Sequence, residues 1–297
     1  MGGDLAKLSQ QATDLVALCS ACAHKALARA VQYAQWALRA PTPVPVLAGV
    51  DQDRARRIID AALVKHPEGL DLDDARLAEL LSCYGLTVAA TRRVRTLRAA
   101  VAAGERLGWN VILKATNPQV RRQPFLEHEW RSIGEATEMA SAWEHLNRTI
   151  PDPASAGFVV QAMGPAGLPV TIAAMEDPSF GPIISFGMSG PSSDLLGDIS
   201  YRIPPLTESD AADMVREVHA APLFFGYSGS PTLKVAAVED TLHRVAQLKN
   251  AFADVERLEL GLMVGVGGIV VVRASARLAP LRDIRSDGDT RRLADPA

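Results

Sequence analysis

Apolar positions recurring at steps of three and four mark the front of this chain. Leu27, Val31, Ala34 and Leu38 form one such stripe within a helix predicted over 5–39. Pro41, Pro43 and Pro45 then interrupt the pattern, and prolines this dense favour an extended, semi-rigid linker, which sets the first boundary. Asp51 is a good N-cap for a second helix, on which Ala55, Ile58, Ile59, Ala62 and Leu63 share a face. A third helix is predicted from near Leu72, with Leu77, Leu80, Leu81 and Tyr84 on its apolar side and Gly85 just past its end.

Beyond Gly85 the period changes repeatedly. Residues 86–94 read as strand, and Thr96 caps a helix that runs to Leu107 and closes at Gly108. Val111, Ile112 and Leu113 form a short buried strand ending at Lys114, and a helix follows over about 133–147. Segments 158–162, 170–175 and 182–186, separated by Gly and Pro turns, read as strands of one antiparallel sheet. Helices are predicted over 208–219 and 235–252, and strands over 258–264 and 269–275 around a glycine-rich turn at 266–268. The stretch 281–297 alternates in charge, has few apolar residues, and reads as a flexible tail. This order implies an α+β class with two lobes. The expected division is a helical extension and linker over 1–45, a domain over 46–280 with lobes at 75–155 and 156–280, and the tail.

Composition adds little to that picture. A chain of 297 residues with 48% hydrophobic and 22% charged side chains is ordinary for a globular protein. The net charge of −3 gives no general attraction to nucleic acid or to an anionic membrane, so any phosphate site must be local. Arg92, Arg93 and Arg95 lack interleaved aromatics and read as a solvated edge. Cys19, Cys22 and Cys83 are too few for a disulfide framework, which points to a reducing, cytoplasmic setting. Cys19 and Cys22 have the C-x-x-C spacing but no second ligand pair for zinc, so two small helical residues is the simpler reading. The apolar run 15–23 falls far short of the roughly 20 residues that span a bilayer, and no basic leader precedes it.

A few residues are candidates for chemistry. Lys114 ends an apolar strand, and a buried ammonium must reach solvent, pair, or meet an anion such as a phosphate. Gly187 and Gly190 can present backbone N–H groups to an anion, or serve as hairpin glycines. Glu208, Asp210 and Asp213 fit the first turns of a helix, where acids meet the positive end of its dipole; Asp194 and Asp198 stay open as magnesium ligands. The six histidines fall in no metal or nucleophile motif, and no Walker-type phosphate loop is present.

An ordered series of segments nonetheless has a family likeness. Leu80–Leu86, the Gly108–Lys114 strand approach, Val159–Met163, Asp177–Pro182, Phe186–Gly190, Tyr201–Leu206 and Gly226–Pro231 follow one another as in a known domain. The chain resembles, over about 75–280, the ATP-grasp part of ADP-forming acetyl-CoA synthetases and their acetyltransferase-fused actinobacterial relatives. Residues 25–49, with Tyr33 to Trp36 the most telling piece, are similar to the segment preceding that domain in long members. The resemblance implies a two-lobed ATP-grasp fold holding ATP between its lobes. Lys114 matches the lysine that contacts nucleotide phosphates, and Gln161, Ala162 and Met163 match the hinge that meets adenine through its backbone. It also implies magnesium, and a partner CoA-ligase domain through which phosphoryl transfer leads to an acyl-CoA.

The departures fall on the metal and relay positions. The stretch from Arg122 to Glu129 lacks the family's His, Asp and Gly residues, and Pro169 stands where an acid is expected. Gly261 replaces a metal-binding Asn, Arg273 falls about where an Asp belongs, and Ser228 replaces an Arg. Two ligands lost and one cation gained imply weak or absent magnesium binding. Two functions therefore stand side by side: an acyl-CoA synthetase-type ligase domain, and a catalytically inactive regulatory or scaffolding relative. No metal ligand is assigned.

Overall fold

The computed structural model describes residues 42–117, 128–177, 179–190 and 195–280, with Val120 and isolated positions between 23 and 38. The chain divides into two units, Met1–Pro43 and Val44–Ala297. In the first, the described positions between 23 and 34 are helical. Cys19, Cys22, Pro41, Asp194, Arg122 and the tail expected over 281–297 lie outside the described residues.

The second unit runs through helix α1 (Gln52–Lys65), strand β1 (Leu70–Asp71), α2 (Asp74–Ser82), β2 (Thr91–Val94), α3 (Leu97–Leu107), β3 (Val111–Ala115) and β4 (Glu129–Ile133). It continues with α4 (Ala136–Thr149), a short α5 (Pro153–Ala156), β5 (Phe158–Ala162), β6 (Leu168–Asp177), β7 (Gly181–Met188) and β8 (Ile199–Arg202). Helices α6 (Glu208–Glu217) and α7 (Val235–Ala251) and strands β9 (Val255–Val264) and β10 (Ile269–Leu278) complete it. The caps read from sequence form as expected. Asp51 accepts from Arg54 N, Thr96 accepts from Ala99 N, and Gly108 closes α3 in the left-handed region at φ 83°. Asp73 caps α2, which begins near Leu72 as expected.

These strands build two sheets. One is six-stranded and antiparallel, in the order β1-β10-β9-β6-β7-β8; the other is four-stranded, β2-β5-β3-β4. Helices α1, α2, α6 and α7 cover one face of the larger sheet, where Ile59, Leu80, Ile172, Phe186, Leu242 and Leu260 are buried in one core. The smaller sheet packs against α3 and α4 over a separate core containing Ala100, Val111, Leu113, Met139, Leu146 and Val160. Two cores on two sheets are the physical meaning of the two lobes.

Three expectations need correction. Strand β5 does not join β6 and β7; it pairs with β2 and β3, so the chain crosses between sheets after Ala162. The connection from Gly164 to Gly167 is not a hairpin. A β-carbon on Gly167 would fall 2.0 Å from the Val264 carbonyl, so this crossing is threaded against β9. Likewise α2 and β1 belong to the larger lobe, with Leu70 and Asp71 paired to Leu278 and Arg277. The smaller lobe is therefore 91–162, and the expected limits of 75–155 and 156–280 shift accordingly. The strand expected over 86–94 reduces to Thr91–Val94, because Val88 bridges to Val271 of the larger sheet.

Lys249, at the end of α7, is fully buried. It forms an ion pair with Glu176 of β6 at 2.6 Å and donates to the carbonyls of Ala253 and Val255. A buried ammonium survives where such partners surround it. Among the described residues no helix is long and apolar enough to cross a membrane.

Candidate functional site

Alternation decides where Lys114 points. Val111, Leu113 and Ala115 are buried against α3 and α4, so Ile112 and Lys114 lie on the other face of the small sheet. On β5 the same rule buries Phe158 and Val160 on the helix side and places Val159 and Gln161 beside Lys114. Lys114 Nζ donates to Gln161 Oε1 and, at 3.3 Å, to the carbonyl of Val272. Gln161 Nε2 donates to that same carbonyl at 2.9 Å. Gln161 is 1% exposed, and these bonds satisfy both ends of its amide. Since Val272 belongs to β10, this cluster joins the small sheet to the large one.

Val272 can accept both bonds because β10 is irregular there. Val271 pairs with Leu262 and Arg273 with Gly261, so Val272 is the extra residue of a β-bulge. A bulged residue leaves the ladder and its polar groups become available to other partners.

The residues expected as the hinge follow directly. Ala162 N donates to Ala90 O at 3.2 Å, and Met163 N donates to Asn110 O at 3.0 Å. Asn110 and Trp109 hold positive φ, 50° and 61°, in the turn entering β3, with the Trp109 ring packed where Gly104 has no β-carbon. Met163 lies just past the end of β5, and among the described residues no turn or loop N–H donates to its carbonyl. Gly164 then passes beside Val272 and Met263, on the large sheet.

The face of the large sheet away from its covering helices lies next to this cluster. On β9, Leu258, Leu260, Leu262 and Val264 are buried, which leaves Arg257, Glu259, Gly261 and Met263 on the open side. Arg273 stands opposite Gly261, and its Nη2 donates to Glu259 Oε1 at 2.5 Å. Arg257 Nη2 reaches the other Glu259 oxygen at 3.1 Å. A β-carbon on residue 261 would meet Arg273 Cβ and Nε, each at 3.3 Å. On β6, Thr171 Oγ1 lies 2.7 Å from Ser189 Oγ, and Pro169 accepts from Ser189 N. Thr171 pairs with Gly261, so these two hydroxyls lie on the same sheet face as Gly261 and Arg273, next to the strand that carries Val272.

Other sequence candidates resolve differently. Gly187 lies within β7, where a β-carbon would sit 2.8 Å from the Asp198 carbonyl, so it permits the approach of β8 rather than forming an anion loop. Asp198 accepts from His219 N, His219 Nδ1 and Ala220 N, at 2.6, 3.0 and 3.1 Å, and anchors the chain after α6. Burial pushes its carboxyl up, but these hydrogen bonds hold it below the usual carboxylate range. Asp210 completes a capping box with Thr207, as its place in a first turn implies. Ser228 occupies a left-handed position, φ 53°, in a 3-10 turn. A groove of about 400 Å³ between α1 and α2 is lined by Arg54, Arg57, Lys65, Arg76 and Glu79 and shares no residue with the Lys114 cluster. Sequence reasoning missed Glu259 and Val272. The first was readable, since Arg257 and Glu259 alternate with Leu258 and Leu260; the second depends on the bulge.

Comparison with known proteins bears on this site. The ATP-grasp domain family matches residues 64–278. The β subunit of ADP-forming acetate–CoA ligase II from Pyrococcus furiosus is 29% identical over 226 residues, covering 73% of this chain and 95% of that subunit. The β subunit of ligase I from the same organism is 27% identical over 211 residues, covering 70% and 90%. Among solved structures, the dinucleotide-forming acetyl-coenzyme A synthetase 1 of Ca. Korarchaeum cryptofilum, in complex with coenzyme A, Ca-AMPCP and HgCl+, is similar at a TM-score of 0.63 and 27% identity, over 75% of this chain and 99% of that one. The complex of that synthetase with coenzyme A and Mg-AMPPCP gives a TM-score of 0.60, at 27% identity and with the same coverage.

The two Korarchaeum complexes carry Ca-AMPCP and Mg-AMPPCP, so the donor set on this face is the point to test. Among the described residues no three His, Cys, Asp or Glu side chains converge on a point. The acid on the open face, Glu259, is bound by two guanidinium groups, and Arg273 covers Gly261. Magnesium wants carboxylates and near-octahedral oxygen geometry, and the residues of this face do not fit it.

Proposed function

This chain belongs to the ATP-grasp family, and on that premise we propose that it is a nucleotide-binding module similar in role to the β subunit of ADP-forming acyl-CoA synthetases, acting with a CoA-ligase partner. The observation that carries this reading is the joint of Lys114, Gln161 and Val272, which brings a lysine and the hinge strand together at the cleft between two sheets. Lys114 would meet the nucleotide phosphates. Residues Gln161 to Met163 would border the base, with the Met163 carbonyl as an acceptor. Because both hinge N–H groups are spent inside the small lobe, this edge matches the exocyclic amino group of adenine better than the carbonyl of guanine.

A second reading, a module that binds nucleotide without transferring its phosphoryl group, is favoured by the guanidinium of Arg273 over Gly261. Phosphoryl transfer relies on cations placed around the developing charge, and loss of the metal ligands removes the main one.

Titration calorimetry with ATP tests the first reading. Binding in the micromolar range that is lost in Lys114→Ala supports it, and no heat of binding up to millimolar ATP, with or without magnesium, overturns it. The second is tested by incubating the chain with magnesium-ATP and measuring ADP release and phosphorylated protein; sustained turnover removes it.

A further inference from the structure

The disagreement between this face and a divalent cation has a positive side. We propose that Arg273, with Lys114 across the cleft, makes a phosphate subsite that takes a nucleoside di- or triphosphate in its metal-free form. This rests on reading the cleft as a nucleotide site.

Three observations carry it. First, Arg273 is held rather than loose: Nη2 is bound to Glu259, and Glu259 is fixed in turn by Arg257. The row of Arg257, Glu259 and Arg273 keeps one net positive charge at the cleft. Second, the guanidinium retains donors. Nε and Nη1 make no hydrogen bond among the described residues, and the side chain is 39% exposed. A planar guanidinium with such donor edges matches the oxygens of a phosphate. Third, the two cations flank one residue. Lys114 Nζ reaches the carbonyl of Val272, and Arg273 is the next residue in the chain.

Such a face inverts the usual metal logic. An anion bridging Lys114 and Arg273 meets two fixed cations, so added magnesium both competes for the phosphates and is repelled by the guanidinium. Metal-free nucleotide should therefore bind at least as tightly as its magnesium complex.

The experiment is calorimetric titration of the full chain with ADP and with ATP, once in EDTA and once in excess magnesium. The expected result is binding in EDTA, unchanged or weakened severalfold by magnesium, and reduced at least tenfold in Arg273→Gln. The variant Gly261→Asn/Arg273→Asp should lose the EDTA binding. Binding that appears only with magnesium overturns the inference and leaves the nucleotide reading intact. Absence of binding in both conditions overturns the nucleotide reading and the inference with it. Full-strength EDTA binding in a folded Arg273→Gln protein also overturns the assignment to Arg273. If Arg273→Gln fails to fold, by circular dichroism, the comparison of EDTA and magnesium arms in the unaltered chain decides alone.

Discussion

Arg273 and Gly261 face each other across β9 and β10, and the Cβ and Nε of the arginine stand 3.3 Å from where a β-carbon on residue 261 would be. The small residue and the large cation are therefore one arrangement. Gly261→Asn alone should push Arg273 off Glu259 and destabilise the fold by about 1–3 kcal/mol, as inserted volume does in packed sites. Arg273→Ala in that background should recover part of the loss. Urea unfolding of the four proteins of this cycle measures the coupling, and strictly additive effects would count against the contact.

Gln161 satisfies Lys114 and Val272 at once. Gln161→Leu removes one donor from the Val272 carbonyl and one acceptor from Lys114, leaving the Lys114–Val272 bond alone to hold the joint, at an expected cost of about 1–3 kcal/mol. Hydrogen exchange should rise in the hinge after Ala162 while the core of α3 and α4 keeps its protection. Uniform change across both lobes would contradict a joint that acts between them.

Lys249 is the buried cation with most at stake. Removing it as Lys249→Ala breaks the ion pair with Glu176 and takes one donor from each of two carbonyls, for an expected loss of about 3–5 kcal/mol. Replacing both members, as Lys249→Met/Glu176→Gln, should cost less than Lys249→Ala. Denaturant midpoints of the two proteins decide the order.

Two groups set the dependence on pH, in different windows. Asp198 lies below the usual carboxylate range in the folded state. It therefore stabilises above about pH 4, its ordinary unfolded value, and that contribution is lost as pH falls through its lower folded value. His243 is half-buried, and burial pushes its imidazole down despite the nearby acids Asp240 and Glu239. The fold thus prefers it neutral: the full contribution is present above about pH 6.5 and is lost as pH falls below that. Thermal melts from pH 7.5 to 3 should show His243→Gln flattening the upper part of the curve. Asp198→Asn should be less stable than the parent at pH 6, with the gap narrowing as pH falls below about 4.

Local rules carried most of the fold. Asp51, Thr96 and Gly108 act as caps because capping is settled within three or four residues. Strand β5 was found to the residue, yet its sheet was misread, because strand partners lie far apart in sequence: Gln161 pairs with Thr91 and Ile112. The helices α1 and α2 join the larger core for the same reason. At the cleft, Lys114 and the hinge were legible as residue types in a family-like order. Their junction was not, since it runs through a main-chain carbonyl, and every residue has one.

The bulge at Val272 has one more effect. In unbroken register Val272 would stand opposite Gly261 and Arg273 opposite Leu260, on the buried side. Side-chain direction in a strand is a matter of odd and even counting, and one surplus residue changes the parity of all that follows. Counted simply, Val271 and Arg273 belong on the same face; in the fold Val271 is 3% exposed in the core while the arginine stands at the cleft. The electrostatic sign of this surface is thus written in the strand's count as much as in its composition, and a register in which Val272 took its place opposite Gly261 would turn the guanidinium to the buried face.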